Sequence, residues 1–322
     1  MSKDMSSVES LKKNIGGMLV VILITTLVAF WMSYQKQKLA ELEIRGSQVK
    51  KLYADVDLTK FRKEALYLPK DYMLGFVKIP SGRFVMGSDP LIDFMAYSNE
   101  RWSRDKNQAD VYLNEYYISQ YEVTVAQYAQ FVAATGYPVV EGVLDQPGDY
   151  PVSNVSWADA LAYCRWLEKT LPNNVEYPAD IREMLNADWH FSLPNEAQWE
   201  KAARGLTGNI YPWGNELDQL KANFNGSGKE VVGSRHCSEC SFGLSDMSGN
   251  VWEFTRSPFL DYPFSADIDK TDLNNPALWV MRGGSYSDRQ NNIRAAVRGG
   301  VAPGERRPNI GFRIVLNDFK NK

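Results

Sequence analysis

The longest apolar run of this chain lies near its start. From Ile15 to Tyr34 no side chain is charged, over about the ~20 residues a helix needs to cross a bilayer. Lys12 and Lys13 precede the run, and Lys36 and Lys38 follow it. Trp31 and Tyr34 mark one end, where amphipathic rings favour the headgroup zone. A cleaved signal peptide would have a shorter core followed by small residues, and Gln35-Lys36-Gln37-Lys38-Leu39 offers none. The pattern predicts a tail over 1–14 and a transmembrane helix over 15–34. Over 35–70 follows a charged helical stalk, with Leu39, Leu42, Ile44, Val49 and Leu52 scattered among Lys, Glu and Arg. A folded domain then occupies 71–322.

Within that domain the periods change quickly. Gly75 to Met86 alternates around Pro80-Ser81-Gly82 and predicts a hairpin. Asp89 to Asp110 is polar and irregular, a surface loop; Tyr116 to Ser119 suits a short strand. Thr124 with Gln127 forms a capping box, opening a helix that buries Val125, Tyr128, Phe131 and Val132 and stops at Gly136. Ser156 with Asp159 opens a second, carrying Trp157, Ala160, Leu161, Cys164 and Leu167 inward and ending before Pro172. Asn195 with Gln198 opens a third, closing at Gly205. Beyond it only short strands are expected, at Val280 to Tyr286, Ile293 to Val297 and Gly311 to Leu316. The class is α+β with little regular secondary structure.

Composition narrows the function. A net charge of -3 offers no broad basic field, so nucleic acid is not an expected partner. Three cysteines exclude a disulfide-dense scaffold. Cys237-Ser238-Glu239-Cys240 is a C-x-x-C beside Arg235 and His236, open to three readings: a loop-closing disulfide, an inert pair, or a redox or metal site. Cys164 suits a buried small hydrophobe. Nine Trp and seventeen Tyr suit a loop-rich core stitched by hydrogen bonds.

Six motifs give the pattern an identity: Ile79-Pro80-Ser81-Gly82-Arg83-Phe84-Val85-Met86-Gly87, Leu193-Pro194-Asn195-Glu196-Ala197-Gln198-Trp199-Glu200, Tyr211-Pro212-Trp213-Gly214-Asn215, Gly249-Asn250-Val251-Trp252-Glu253, Arg282-Gly283-Gly284-Ser285-Tyr286 and Asn309-Ile310-Gly311-Phe312-Arg313. In order and spacing this series resembles the formylglycine-generating enzyme (sulfatase-modifying factor) family, from about Phe76 to Val315. The resemblance implies a variant of the C-type lectin fold. It also implies a structural calcium site, with side-chain oxygens from Asp246 and Glu253 and backbone carbonyls from Gly249 and Val251, a donor set hard Ca²⁺ favours. A second family calcium site would begin at Asn223-Phe224, but its remaining acidic ligand is missing. Arg298 and Arg313 match framework positions and should stack on Trp or pair with buried carboxylates.

The decisive comparison is the active site. The family oxidises a substrate cysteine with two cysteines and copper, both cysteines following the Gly-Gly-Ser-Tyr motif. Here those positions fall at about Asp288 and Asn292, in a shortened loop. A carboxylate cannot replace thiolate for Cu(I) or in a mixed disulfide, so copper is not expected. Iron would need several histidines, and the chain has two, His190 and His236. The resemblance therefore implies a non-catalytic accessory module of an envelope system for secretion or maturation. Its protein partner would dock in a groove beside Ser285, Tyr286, Asp288 and Asn292. Large domains translocate regardless of flanking charge and relatives commonly work outside the cytoplasm, so the domain is expected in the periplasm or outside. The competing expectation is a metal- or thiol-dependent oxidase or maturation factor that uses Cys237 and Cys240.

Overall fold

The computed structural model describes residues 22–37, 40, 73–171, 178–235, 237–263 and 278–318. The chain divides into two units, Met1–Gln48 and Val49–Lys322. In the first, residues 22–37 form a helix whose apolar side chains, such as Leu23 and Phe30, are exposed. It covers part of the expected membrane span. Residues 15–21 lie outside the described residues, as do 41–72, which include most of the expected stalk. No helix among the described residues is long and apolar enough to cross a membrane.

The second unit carries three sheets. The first runs β1 (Phe76–Ile79), β4 (Tyr116–Ser119), β10 (Val315–Asn317), β5 (His190–Ser192), all neighbours antiparallel. The second pairs β2 (Gly82–Gly87) with β3 (Gln108–Leu113). The third runs β8 (Gly299–Val301), β7 (Trp279–Arg282), β6 (Trp252–Pro258), β9 (Ile310–Gly311). Strands from the C-terminal third thus complete sheets begun near residue 76.

The expected hairpin around Pro80-Ser81-Gly82 does not form. β1 pairs with β4 while β2 turns away to pair with β3, so the turn passes the chain between two sheets. Lys201 holds it there: its ammonium donates to the carbonyls of Pro80 at 2.6 Å and Gly82 at 3.2 Å. Burial pushes that ammonium's pKa down to about 8. The strand expected over Ile293 to Val297 is absent too; that segment is a chain of turns whose carbonyls serve Arg282.

Three helices start where the sequence places them. Capping boxes at Thr124, Ser156 and Asn195 begin α1 (Val125–Thr135), α2 (Trp157–Thr170) and α4 (Glu196–Arg204). Gly136, in the left-handed region, ends α1. A further helix, α3 (Ala179–Asn186), was not anticipated. The largest core packs α1 and α2 against the sheets through Tyr128, Phe131, Tyr163 and Phe312, and Trp157 stacks on Trp279 at 4.1 Å.

Helix α4 departs from ordinary amphipathic patterning, since every residue in it is buried, including Glu196, Glu200, Lys201 and Arg204. A buried charge is tolerated only when paired and hydrogen-bonded. Here Glu200 receives Arg204 and Arg282, and Glu196 receives Arg298 at 2.6 Å and 3.0 Å. Arg298 also lies 4.0 Å over the Tyr262 ring. The Arg282 and Arg298 pairs fasten the helix to segments 82 and 102 residues further along.

Candidate functional site

The groove loop begins where β7 leaves the third sheet. Gly283 and Gly284 both have positive φ, and a Cβ on Gly284 would lie 2.5 Å from the Asn292 carbonyl oxygen. Only glycine lets the two ends of the loop approach this closely. The approach brings together all four groove residues named from the sequence.

Asp288 is the hub. Its Oδ2 accepts from the Trp252 indole at 2.8 Å, the Ser285 hydroxyl at 2.6 Å and the Ser285 backbone N–H at 3.1 Å. Its Oδ1 accepts from the Asn292 carboxamide at 2.8 Å. Both oxygens of this carboxylate are therefore in use. Ser285 is buried; Tyr286 and Asn292 are half-exposed.

Two residues that the sequence reading missed join this hydrogen-bonded cluster. Asn309 donates to the Ser285 hydroxyl at 3.2 Å, and Tyr97 donates to Asn292 Oδ1 at 2.9 Å. Asn309 opens a quoted motif, which was a usable signal. Tyr97 sits in a loop that looked featureless; nothing local marks its contact 195 residues away.

The expected calcium ligands behave differently from one another. Glu253 is fully buried and bound by Arg313, whose Nε and Nη2 reach it at 2.6 Å and 2.7 Å. The Trp199 indole adds a third donor at 2.6 Å. Arg313 and Arg298 thus pair with buried carboxylates. Asp246 accepts the Gly233 N–H at 2.6 Å and lies against Glu122, a residue the sequence reading did not single out. Glu122 Oε1 takes the Asn250 carboxamide at 3.0 Å, while its buried Oε2 receives no N–H or O–H donor among the described residues. Burial pushes the Asp246 carboxyl up to about 6 and Glu122 well above the carboxylate range; the Asp246 charge raises Glu122 further, while a hydrogen bond from Glu122 holds Asp246 down. Among the described residues no three His, Cys, Asp or Glu gather to hold a metal.

The remaining chemistry-bearing side chains lie elsewhere. Cys237 and Cys240 form a disulfide in the loop ahead of Asp246, and Cys164 is free and buried. His190 contacts Glu168 at 2.7 Å and Asp188 at 3.3 Å; His236 lies outside the described residues. Arg306 pairs with Asp159, and Arg307 with Glu305.

Residues 67–318 match the sulfatase-modifying factor enzyme 1-like domain. The chain belongs to that family. Among its relatives is the inactive C-alpha-formylglycine-generating enzyme 2 of Bos taurus, 32% identical over 183 residues, 51% of this chain and 50% of the relative. The chain thus spans about half the length of that relative. The formylglycine-generating enzyme of Bos taurus is 26% identical over 308 residues, covering 75% of this chain and 74% of that one. Among solved structures, PvdO from Pseudomonas aeruginosa shares the fold with a TM-score of 0.59 at 23% identity, over 75% of this chain and 94% of that one.

Proposed function

We propose that this chain is a membrane-anchored, non-catalytic member of the formylglycine-generating enzyme family. It would act as an accessory module that docks a partner protein for an envelope secretion or maturation system. One observation carries the reading: Asp288, which the resemblance puts at about the first family cysteine position, accepts four hydrogen bonds. It can neither attack a thiol nor hold Cu(I) as a thiolate does. The loop it ties shut has the order of a docking surface. Relatives named as inactive forms support the same reading. The apolar run at 15–34 supports the anchor, and the Cys237–Cys240 disulfide supports a domain outside the reducing cytosol.

The test uses the full chain purified from membranes. Ser287 is exposed at the groove, so Ser287→Trp fills it without entering the core. This variant is expected to lose the co-purifying partner, while the double change Cys237→Ser and Cys240→Ser keeps it. An aldehyde formed on a sulfatase-type cysteine peptide in the presence of copper would overturn the reading. Partner loss on removing Cys237 and Cys240 would favour the thiol-dependent oxidase instead.

Calcium belongs to the same proposal. Asp246 and the carbonyls of Gly249 and Val251 would hold the ion, with the carbonyls brought close by the Gly249 turn. Glu253 fits less well, because Arg313 and Trp199 already occupy it. Calcium at 100 times its Kd should stabilise the fold by about 2.7 kcal/mol, read as a rise in Tm that EDTA reverses and Asp246→Asn weakens. An unchanged Tm in millimolar calcium removes the ion from the account.

A further inference from the structure

The loop from Asp89 to Tyr97 inverts the usual burial order. Asp93 points inward, 3% exposed, while its neighbours point out, with Ile92 48%, Leu91 69% and Phe94 90% exposed. The cause is the buried Arg294, whose guanidinium binds Asp93 and both oxygens of Glu100. Ser88 adds a hydroxyl to Asp93 at 3.0 Å, and the Ile92 and Asp93 N–H groups both donate to the Asp89 carbonyl. The loop is therefore built, and it cannot turn Phe94 inward without breaking the Asp93–Arg294 pair. A fixed apolar projection of this kind marks a contact surface.

That projection adjoins the groove. Tyr97 is bonded to Asn291 and Asn292, and Gln290 reaches Met95 Sδ at 3.9 Å. Asn291 and Asn309 each donate from the carboxamide nitrogen inside the protein. Neither Oδ1 is engaged among the described residues, which leaves two acceptors for a backbone N–H. Beside them Arg289 is exposed, and its guanidinium makes no ion pair or hydrogen bond among the described residues. Residues 89–99 contain no Lys or Arg, so the projecting segment itself supplies no cation to anionic lipid. Carboxamide acceptors and one unpaired cation suit a polypeptide instead.

We propose that Ile92 and Phe94, with Arg289, form the anchoring subsite for an extended partner segment in which an apolar side chain is followed by an acidic one. The inference rests on the docking reading above and specifies what docks. The probe is a dye-labelled nine-residue peptide, uncharged except for one Asp two residues after a central Phe, titrated against the full chain in neutral-lipid nanodiscs. Binding should be at least about tenfold tighter than for the same peptide with Ser for Phe or Lys for Asp. Phe94→Ser, at a position outside the core, should lose about tenfold, and Arg289→Glu should reverse the preference toward the Lys peptide. Equal binding of the three peptides, or unchanged binding by both variants, overturns the proposal. Flotation of the native chain but not Phe94→Ser with phosphatidylserine vesicles also overturns it, assigning the projection to lipid. If Ser287→Trp still releases the membrane partner while Phe94→Ser retains it, the groove docks a partner and only the anchor proposal fails.

Discussion

Arg282→Met is expected to destabilise the domain by about 3–5 kcal/mol, the usual cost of removing one partner from a buried ion network. Arg282 is fully buried and donates to the carbonyls of Ala295, Ala296 and Val297 at 3.0, 2.8 and 2.6 Å. It also binds Glu200, with Glu196 3.6 Å away. Methionine fills much of the volume but supplies no donor, leaving three carbonyls without this partner and a buried carboxylate with one cation fewer. At roughly 2–4 °C per kcal/mol for a domain of this size, Tm should fall by about 10 °C. Arg282→Lys should recover little, because an ammonium cannot span those acceptors in one plane. Arg306→Met is the control: its pair with Asp159 is partly exposed, and its loss should cost no more than about 1 kcal/mol. Equal Tm values for Arg282→Met and Arg306→Met would show that the network does not hold the fold.

Gly249→Ala should be nearly as damaging, for a steric reason. Gly249 has φ +82, and a Cβ there would lie 2.2 Å from the Asn223 carbonyl oxygen. That oxygen cannot retreat freely, since it accepts the Asn250 N–H at 2.8 Å, while Gly249 N–H is bonded to the Gly283 carbonyl. Backbone strain plus the overlap should cost about 3 kcal/mol. Gly304→Ala meets nothing within 4 Å and should be nearly neutral. Chemical denaturation of both variants separates the outcomes: a Gly249→Ala midpoint matching Gly304→Ala would contradict the geometry. The same change should disturb the groove, because Tyr286 N–H donates to the Asn250 carbonyl.

Local chemistry made part of this molecule legible in its sequence. The capping boxes at Thr124, Ser156 and Asn195 act within four residues, so the helices could be placed from the chain alone. The turn at Pro80-Ser81-Gly82 was equally visible, but its strands choose partners by tertiary packing. A two-sheet crossing and a hairpin look the same over twelve residues. The motif series carried the family and brought Ser285, Tyr286, Asp288 and Asn292 to one place. It could not show that Glu253 would be occupied by Arg313, sixty residues on, or that Glu122 would face Asp246. Pairings at that range are set by the fold as a whole. The exposed Phe94 was hidden for a related reason: its position depends on Asp93 reaching Arg294.

The charged helix enclosed on every side has a consequence for biosynthesis. Its glutamates leave the ribosome long before Arg282 and Arg298 exist to neutralise them, so the nascent chain cannot bury that segment as it emerges. Maturation must wait until the C-terminal third has been translated. A product truncated ahead of Arg282 would then leave Glu196 without a cation and Glu200 with Arg204 alone, and be a substrate for quality-control proteases.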